Sequence, residues 1–213
     1  MEIITQLIHL ILHLDTALDG LVAQYGGLVY AILFGVVFCE TGLVVTPFLP
    51  GDSLLFAAGA IAAGGRLNIA LLCLLLVLAA VLGDACNYWA GKVLGVALSE
   101  KFPRLVKRQH IERTNEFYER YGGKTLIIAR FVPIVRTFAP FVAGIGKMSY
   151  SRFSMFNITG GLLWVLVLAP AGYFFADVEI VKKNFGLVVI AIIVLSILPA
   201  IVEVVRARSS ARA

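Results

Sequence analysis

Glu40, Asp52, Asp84, Arg130 and Arg136 are ionisable side chains set inside long apolar stretches. The residues around the first two, Ala31 to Phe38 and Leu54 to Ala63, carry no charge. On a helix at the centre of a bilayer, one charge costs about 2.5–3.5 kcal/mol on insertion scales. Such groups must face one another, a water cavity or a polar ligand. An arginine pair at a broken helix, beside freed backbone N–H groups, suits a phosphate. Carboxylates in the same place can take and release protons. Arg130 and Arg136 lie about 240° apart round an ideal helix, so Pro133 between them must re-aim one if they share a site. A purely structural ion-pair lattice would use the same residues. Asp84, near Asn87 and Tyr88, reads equally as a functional residue or as part of a polar helix-packing cluster. Asp84, Asn87 and Thr137 are accessory candidates.

The elements that must hold these residues are helices in a membrane. The chain has 213 residues, 60% of them apolar, and a mean hydropathy of +0.94. Soluble domains are nearer half apolar. Runs such as Ile69–Leu82, Leu162–Phe175 and Leu187–Val202 are too apolar for surface helices, and a membrane barrel would show alternation in segments of ~10 residues. The expected class is therefore an all-α integral membrane protein in one domain. The net charge of +5 is unevenly placed: no Lys or Arg precedes Arg66, and the stretch Ser99–Lys124 holds seven basic and four acidic residues. That is a membrane-protein charge map and implies no nucleic-acid partner. Cys39, Cys73 and Cys86 lie in apolar runs without metal-ligand spacing and read as inert buried thiols. His9, His13 and His110 lie outside the apolar segments. No nucleophile–His pair or metal cluster emerges, so no catalytic residue, metal or cofactor is expected. The opening residues lack a basic n-region and do not read as a signal peptide.

Residues 1–23 have a polar face, Gln6, His9, His13 and Thr16, opposite Ile4, Ile8, Ile11 and Leu18, which predicts an interfacial helix. Gly27–Glu40 is apolar and continues a span begun near Leu21. Thr41–Gly64 is interrupted by Pro47, Pro50 and Gly51, and Thr125–Gly146 by Pro133 and Pro140. Leu67–Leu98, Phe153–Phe175 and Phe185–Val205 are full spans, with Pro170 and Pro199 as kink positions. Between them, residues 99–124 form a polar amphipathic segment, with a surface helix over Gln109–Tyr121. Trp89, Trp164 and Tyr173 read as packing or interface anchors.

Charge placement bears on topology. With residues 99–124 in the cytoplasm, a crossing by Thr125–Gly146 would leave Lys147, Arg152 and the basic 206–213 tail outside. A segment that dips in and returns keeps them all inside, as the positive-inside rule prefers. Thr125–Gly146 is thus expected to be a re-entrant hairpin, and Thr41–Gly64 a second one from the opposite face. Each arm would reach the middle of a ~30 Å hydrocarbon core. Phe56-Ala57-Ala58-Gly59 echoes Phe141-Val142-Ala143-Gly144, and Phe48-Leu49-Pro50 echoes Phe131-Val132-Pro133. Inverted repeats whose broken helices meet at the midplane are a secondary-transporter plan.

Phe38-Cys39-Glu40-Thr41-Gly42-Leu43, followed by Pro47-Phe48-Leu49-Pro50-Gly51-Asp52, resembles the signature of the DedA family. Arg130-Phe131-Val132-Pro133-Ile134-Val135-Arg136-Thr137-Phe138-Ala139-Pro140, with Ala143-Gly144 after it, resembles the family's second signature. The resemblance runs over nearly the whole chain. It implies a bacterial inner-membrane protein with two opposed re-entrant hairpins; the charge placement puts the C-terminus in the cytoplasm. It also implies a proton-motive-force-dependent translocase of undecaprenyl phosphate or phospholipid, serving envelope homeostasis. The family's acidic pair maps onto Glu40 and Asp52, and its arginine pair onto Arg130 and Arg136; Asp84 is not carried over.

The leading expectation is a lipid-phosphate flippase whose partners are an anionic membrane lipid and protons. Arg130 and Arg136 would hold the phosphate, Glu40 and Asp52 would couple protons, and Pro47, Pro50, Gly51, Pro133 and Pro140 would break the hairpins. The alternative is a proton-coupled small-cation or drug antiporter using the same carboxylates. An intramembrane enzyme is disfavoured by the histidine placement, and a non-transporting scaffold and a homo-oligomer are both compatible with the sequence.

Overall fold

The computed structural model describes residues 14–43, 51–101, 123–192 and 194–195, and among them there are helices and turns but no strand. The helices are α1 Leu14–Tyr25, α2 Leu28–Gly42, α3 Gly51–Ala63, α4 Ile69–Lys101, α5 Lys124–Ala129, α6 Pro133–Ile145, α7 Tyr150–Phe175 and α8 Glu179–Lys183. Residues 185–192 are also helical. Two of these helices, α4 and α7, are long and apolar enough to cross a membrane. The expected features at residues 1–13, Pro47, Pro50, the 109–121 surface helix, Pro199 and the 206–213 tail lie outside the described residues.

The described chain divides into two compact units. The first takes its residues from 1–34, 50–76 and 165–213. In it α1 packs on α3, and α3 is buried along nearly its whole length, as expected of a helix that is apolar all round. Two glycines let α3 and α7 touch backbone to backbone. A Cβ on Gly59 would overlap the carbonyl of Ala169, and one on Gly172 would overlap the carbonyl of Phe56. Small residues at crossings are how apolar helices gain contact where no hydrophobic effect drives them together. At one end, the backbone N–H of Asn68 donates to the Tyr30 hydroxyl at 2.6 Å, and an exposed Arg66–Asp19 pair spans 3.1 Å.

The second unit takes its residues from 35–49 and 77–164. After α5 the backbone tightens into a turn, with N–H groups of Arg130, Phe131 and Val132 each donating to the carbonyl three residues back. Val132 is extended (φ −117°, ψ 106°), as a residue before proline prefers. Pro133 then opens α6, where its missing N–H costs nothing. The result is a short helix, a turn and a second helix folded back on it. Helix α6 crosses α4 as α3 crosses α7: a Cβ on Gly91 would overlap the Phe141 carbonyl, and one on Gly144 the Tyr88 carbonyl. Beneath the crossing, Tyr88, Leu126, Ala129, Ala139, Ala143, Met148 and Phe153 form a buried core. The Tyr88 and Phe153 rings stack with centroids 4.4 Å apart, and the Tyr88 hydroxyl donates to the Met148 carbonyl.

Helix α6 ends in a Schellman motif, in which Met148 N–H donates to the Ala143 carbonyl and Lys147 N–H to the Gly144 carbonyl, both at 3.1 Å. The left-handed residue this motif needs is usually glycine; here it is Lys147 (φ 55°), at a cost of roughly 1–2 kcal/mol.

Four expectations change. Gly26 (φ +51°) and Gly27 form a turn between α1 and α2, so no single helix runs from Leu21 to Glu40. Helix α2 runs through Thr41 to Gly42, past the expected start of the first hairpin. Pro140 does not break a hairpin: α6 runs through it to Ile145, and its missing N–H instead removes the helical donor for the Arg136 carbonyl. Of the three cysteines only Cys73 is buried; Cys39 and Cys86 are exposed on the protein surface.

The glycine crossings make a stability prediction. Gly144→Ala and Gly172→Ala should each destabilise the protein by at least the ~1–3 kcal/mol typical of overpacking. Gly35→Ala, in α2 with nothing within 4 Å of the added methyl, should gain up to about 1 kcal/mol from helix propensity. Thermal unfolding of the three purified variants in detergent checks the order.

Candidate functional site

Two buried arginine–carboxylate pairs occupy the second unit. Arg130 caps the end of α5, and its Nη2 donates to Asp84 Oδ2 on α4. Arg136, in the first turn of α6, donates from Nη2 to Glu40 Oε1 near the end of α2. All four side chains are buried. The turn at 130–132 solves the problem posed by their spacing: with the helix broken, both arginines face the indole of Trp164 on α7. The guanidinium carbons lie 6.0 Å and 5.1 Å from its ring centre, within cation–π range.

Two asparagines hold the framework. Asn157 on α7 accepts from Arg130 Nη2 through Oδ1 at 2.6 Å and donates through Nδ2 to the Val81 carbonyl on α4 at 3.0 Å. Asn87 on α4 donates through Nδ2 to the Thr41 carbonyl at 3.2 Å and to the Thr137 carbonyl at 2.7 Å. Thr41 and Thr137 directly follow Glu40 and Arg136 in the chain. One amide thus sets the two helices that carry this ion pair. Close approach of α2 to α4 is permitted at Gly83, whose hydrogen faces the Thr41 side chain and the Phe38 carbonyl. The Thr41 hydroxyl donates to the Val37 carbonyl at 2.9 Å.

Thr41, Asp84, Arg130, Arg136, Asn157 and Trp164 help line a small cavity. It leaves about 10 Å³ for the centre of a water-sized sphere, near the minimum for one water. Among the described residues, buried Arg130 Nη1 meets no hydrogen-bond acceptor and Asn87 Oδ1 meets no donor. Buried polar groups are rarely left so. The Arg130 guanidinium thus keeps a donor without an acceptor among the described residues, beside a cavity with room for about one water.

Among the sequence-predicted residues, the structure brings together Glu40, Asp84, Asn87, Arg130, Arg136 and Thr137. Pro140 lines the same cavity. Asp52 is buried in the first turn of α3 and belongs to the first unit; the acid on Arg130 is Asp84. Gly51 is the first residue of α3. Asn157 and Trp164 were not singled out as site residues by sequence reasoning. A signal was present: Asn157, Gly160, Gly161 and Trp164 recur at helical spacing inside an apolar span. Gly160 and Gly161 pass beside the Arg130 side chain, where a Cβ would come within 3.3 Å and 3.5 Å of it.

The sequence is similar to several known proteins. A VTT domain matches residues 49–174. Protein DedA of Escherichia coli K12 is 54% identical over the whole of this chain and 99% of its own length. The chain belongs to the VTT-domain (DedA) family. A membrane protein of Mycobacterium tuberculosis is 42% identical over 85% of this chain and 81% of its own length. The inner membrane protein YqjA of E. coli K12 is 35% identical over 74% of this chain and 72% of its own length. No solved structure matches the chain. The family match spans Asp84, Arg130, Arg136, Asn157 and Trp164, while Glu40 lies upstream of it. The apolar helices and the names of these relatives agree on a helical membrane protein.

Removing one member of a buried pair strands the other as an uncompensated charge. Arg130→Ala should cost about 3–5 kcal/mol. The double variant Asp84→Asn/Arg130→Gln should cost less than the sum of its single variants, with a coupling of about 1–3 kcal/mol. A double-mutant cycle of unfolding in detergent measures it.

Proposed function

We propose that this family member is a proton-motive-force-dependent translocase of an anionic lipid phosphate in the bacterial inner membrane, undecaprenyl phosphate or a phospholipid. The observation that carries the reading is the pair of buried arginines at one cavity, Arg130 on Asp84 and Arg136 on Glu40, with Arg130 Nη1 lacking an acceptor among the described residues. An arginine fork matches phosphate as well as it matches carboxylate. Glu40 and Asp84 therefore act as internal stand-ins that an entering phosphate displaces. A displaced carboxylate cannot stay ionised beside a phosphate in a low-dielectric site. It takes a proton, and anion binding is thereby coupled to proton uptake. Trp164 and the Asn157 amide keep the arginines placed while their partners change.

The cavity has room for about one water, so a headgroup enters only after the turn at 130–132 and α6 move apart from α4. In this reading α5 and α6 form a hairpin that dips into the membrane and returns, with residues 99–124 and the C-terminal tail in the cytoplasm. The segment ending in α3 is its inverted counterpart, from the opposite face. The two reciprocal glycine crossings, Gly59 with Gly172 and Gly91 with Gly144, support such a repeat. They fall on the two echoed Phe-x-x-Gly stretches. Asp52, at the head of α3, is a further proton-coupling acid. Carboxylates that face arginines favour an anionic cargo over a cationic one, and the site is read as a transporter rather than an enzyme.

In reconstituted liposomes under an imposed proton gradient, Arg136→Ala should slow lipid-phosphate movement at least ten-fold, the size of about 1.4 kcal/mol. Arg136→Lys keeps the charge but not the fork and should fall between. Wild-type rates in the Arg136→Ala protein would rule out the phosphate clamp.

A further inference from the structure

The end of the second unit where α6 gives way to α7 carries a second cluster of basic and aromatic side chains, apart from the arginine site. Trp89 and Tyr150 are exposed, at 47% and 44% of their surface, and their rings meet with centroids 5.7 Å apart. The Lys92 ammonium lies 4.8 Å from the centre of the Trp89 ring. The chain between α6 and α7 is anchored to this part of α4 on both sides of Lys147. Gly144 abuts the Tyr88 carbonyl and the Lys92 nitrogen, and the Met148 carbonyl accepts from the Tyr88 hydroxyl. Lys147 itself is exposed. Residues 88–94 and 141–156 contain Lys92, Lys147 and Arg152 and no carboxylate.

Lys147 is the informative residue. It occupies the left-handed position of the Schellman motif (φ 55°), where glycine would sit without strain. Strain of this kind points to a use for the side chain. Part of the use is local, since a cation favours a helix C-terminus, but an exposed lysine elsewhere in the last turn would supply that without strain. Exposed Trp and Tyr beside Lys, at the end of an apolar helix, mark the level of lipid headgroups.

We propose that Trp89, Lys92, Lys147 and Tyr150 form a docking site for the headgroup of an anionic phospholipid. The two ammonium groups meet the phosphate, and the paired rings lie along the glycerol and upper acyl chain. The site holds a resident boundary lipid on the outer surface of the unit. It rests on the membrane assignment and not on transport.

Trp89 is the reporter, because the chain's other tryptophan, Trp164, is fully buried. The full-length protein is reconstituted in vesicles containing either brominated phosphatidylglycerol or brominated phosphatidylcholine, and tryptophan quenching is followed against mole fraction. Wild type should be quenched at lower mole fractions of the anionic lipid, with each lysine contributing roughly five-fold in relative affinity. Lys92→Gln/Lys147→Gly should lose that preference, while Lys147→Arg should retain it. Lys147→Gly alone should unfold at the same temperature as wild type or higher, which separates loss of binding from loss of fold. Equal quenching of wild type by the two lipids, or an unchanged preference in the double variant, overturns the proposal. The readout is lipid binding at rest, so its failure leaves translocation untouched. Failed translocation in turn leaves this site untouched.

Discussion

Ion pairing in an apolar interior governs the second unit. A guanidinium or carboxylate buried alone there would cost several kcal/mol. Each charge therefore needs a partner from a different part of the chain, and meeting that need dictates the geometry around it. Glu40 on α2 meets Arg136 on α6, and Asp84 on α4 meets Arg130 at the end of α5. Four helices are thus tied together by two contacts, and α7 closes the arrangement with Asn157 and Trp164.

Backbone chemistry makes those contacts reachable. Six residues separate the arginines, and a continuous helix would send them to different faces. The tight turn at 130–132, the extended Val132 and the Pro133 start of α6 remove that conflict. Glycines perform the complementary task. At Gly83, Gly91 and Gly144 the helices come close enough for carbonyls and short polar side chains to cross from one to the next. Polar bonds such as those of Asn87 to two carbonyls are a consequence of that closeness. A site formed this way pairs its charges across helices around a cavity with room for about one water.

The two units follow one packing rule. In each, a helix bearing a Phe-x-x-Gly stretch crosses a long apolar helix, with glycine against carbonyl in both directions. In the first unit the buried acid at the helix start, Asp52, is in the same position as it would be in any helix that favours an anion at its N-terminus. The exposed faces differ from this interior in kind. Lys92 lies over the Trp89 ring, and both Lys92 and Lys147 are exposed at the surface.

Much of this was legible without coordinates. Composition and run length determined the helical membrane class, because backbone groups in hydrocarbon must be satisfied within each segment. The two prolines and two arginines in one apolar stretch marked a broken element, because proline chemistry is local. Even so, local rules did not separate Pro133, which opens a helix, from Pro140, which α6 absorbs; neighbouring packing decides whether a freed carbonyl can be tolerated. The pairing of Arg130 with Asp84 rather than Asp52, and the entry of Asn157 and Trp164 into the site, were beyond the sequence. Pairing is settled by which helices cross and at what register, and that depends on contacts between residues far apart in the chain. The sequence by itself determined which charges had to be neutralised; only the tertiary structure decided by whom, because burial makes a partner obligatory but does not name it.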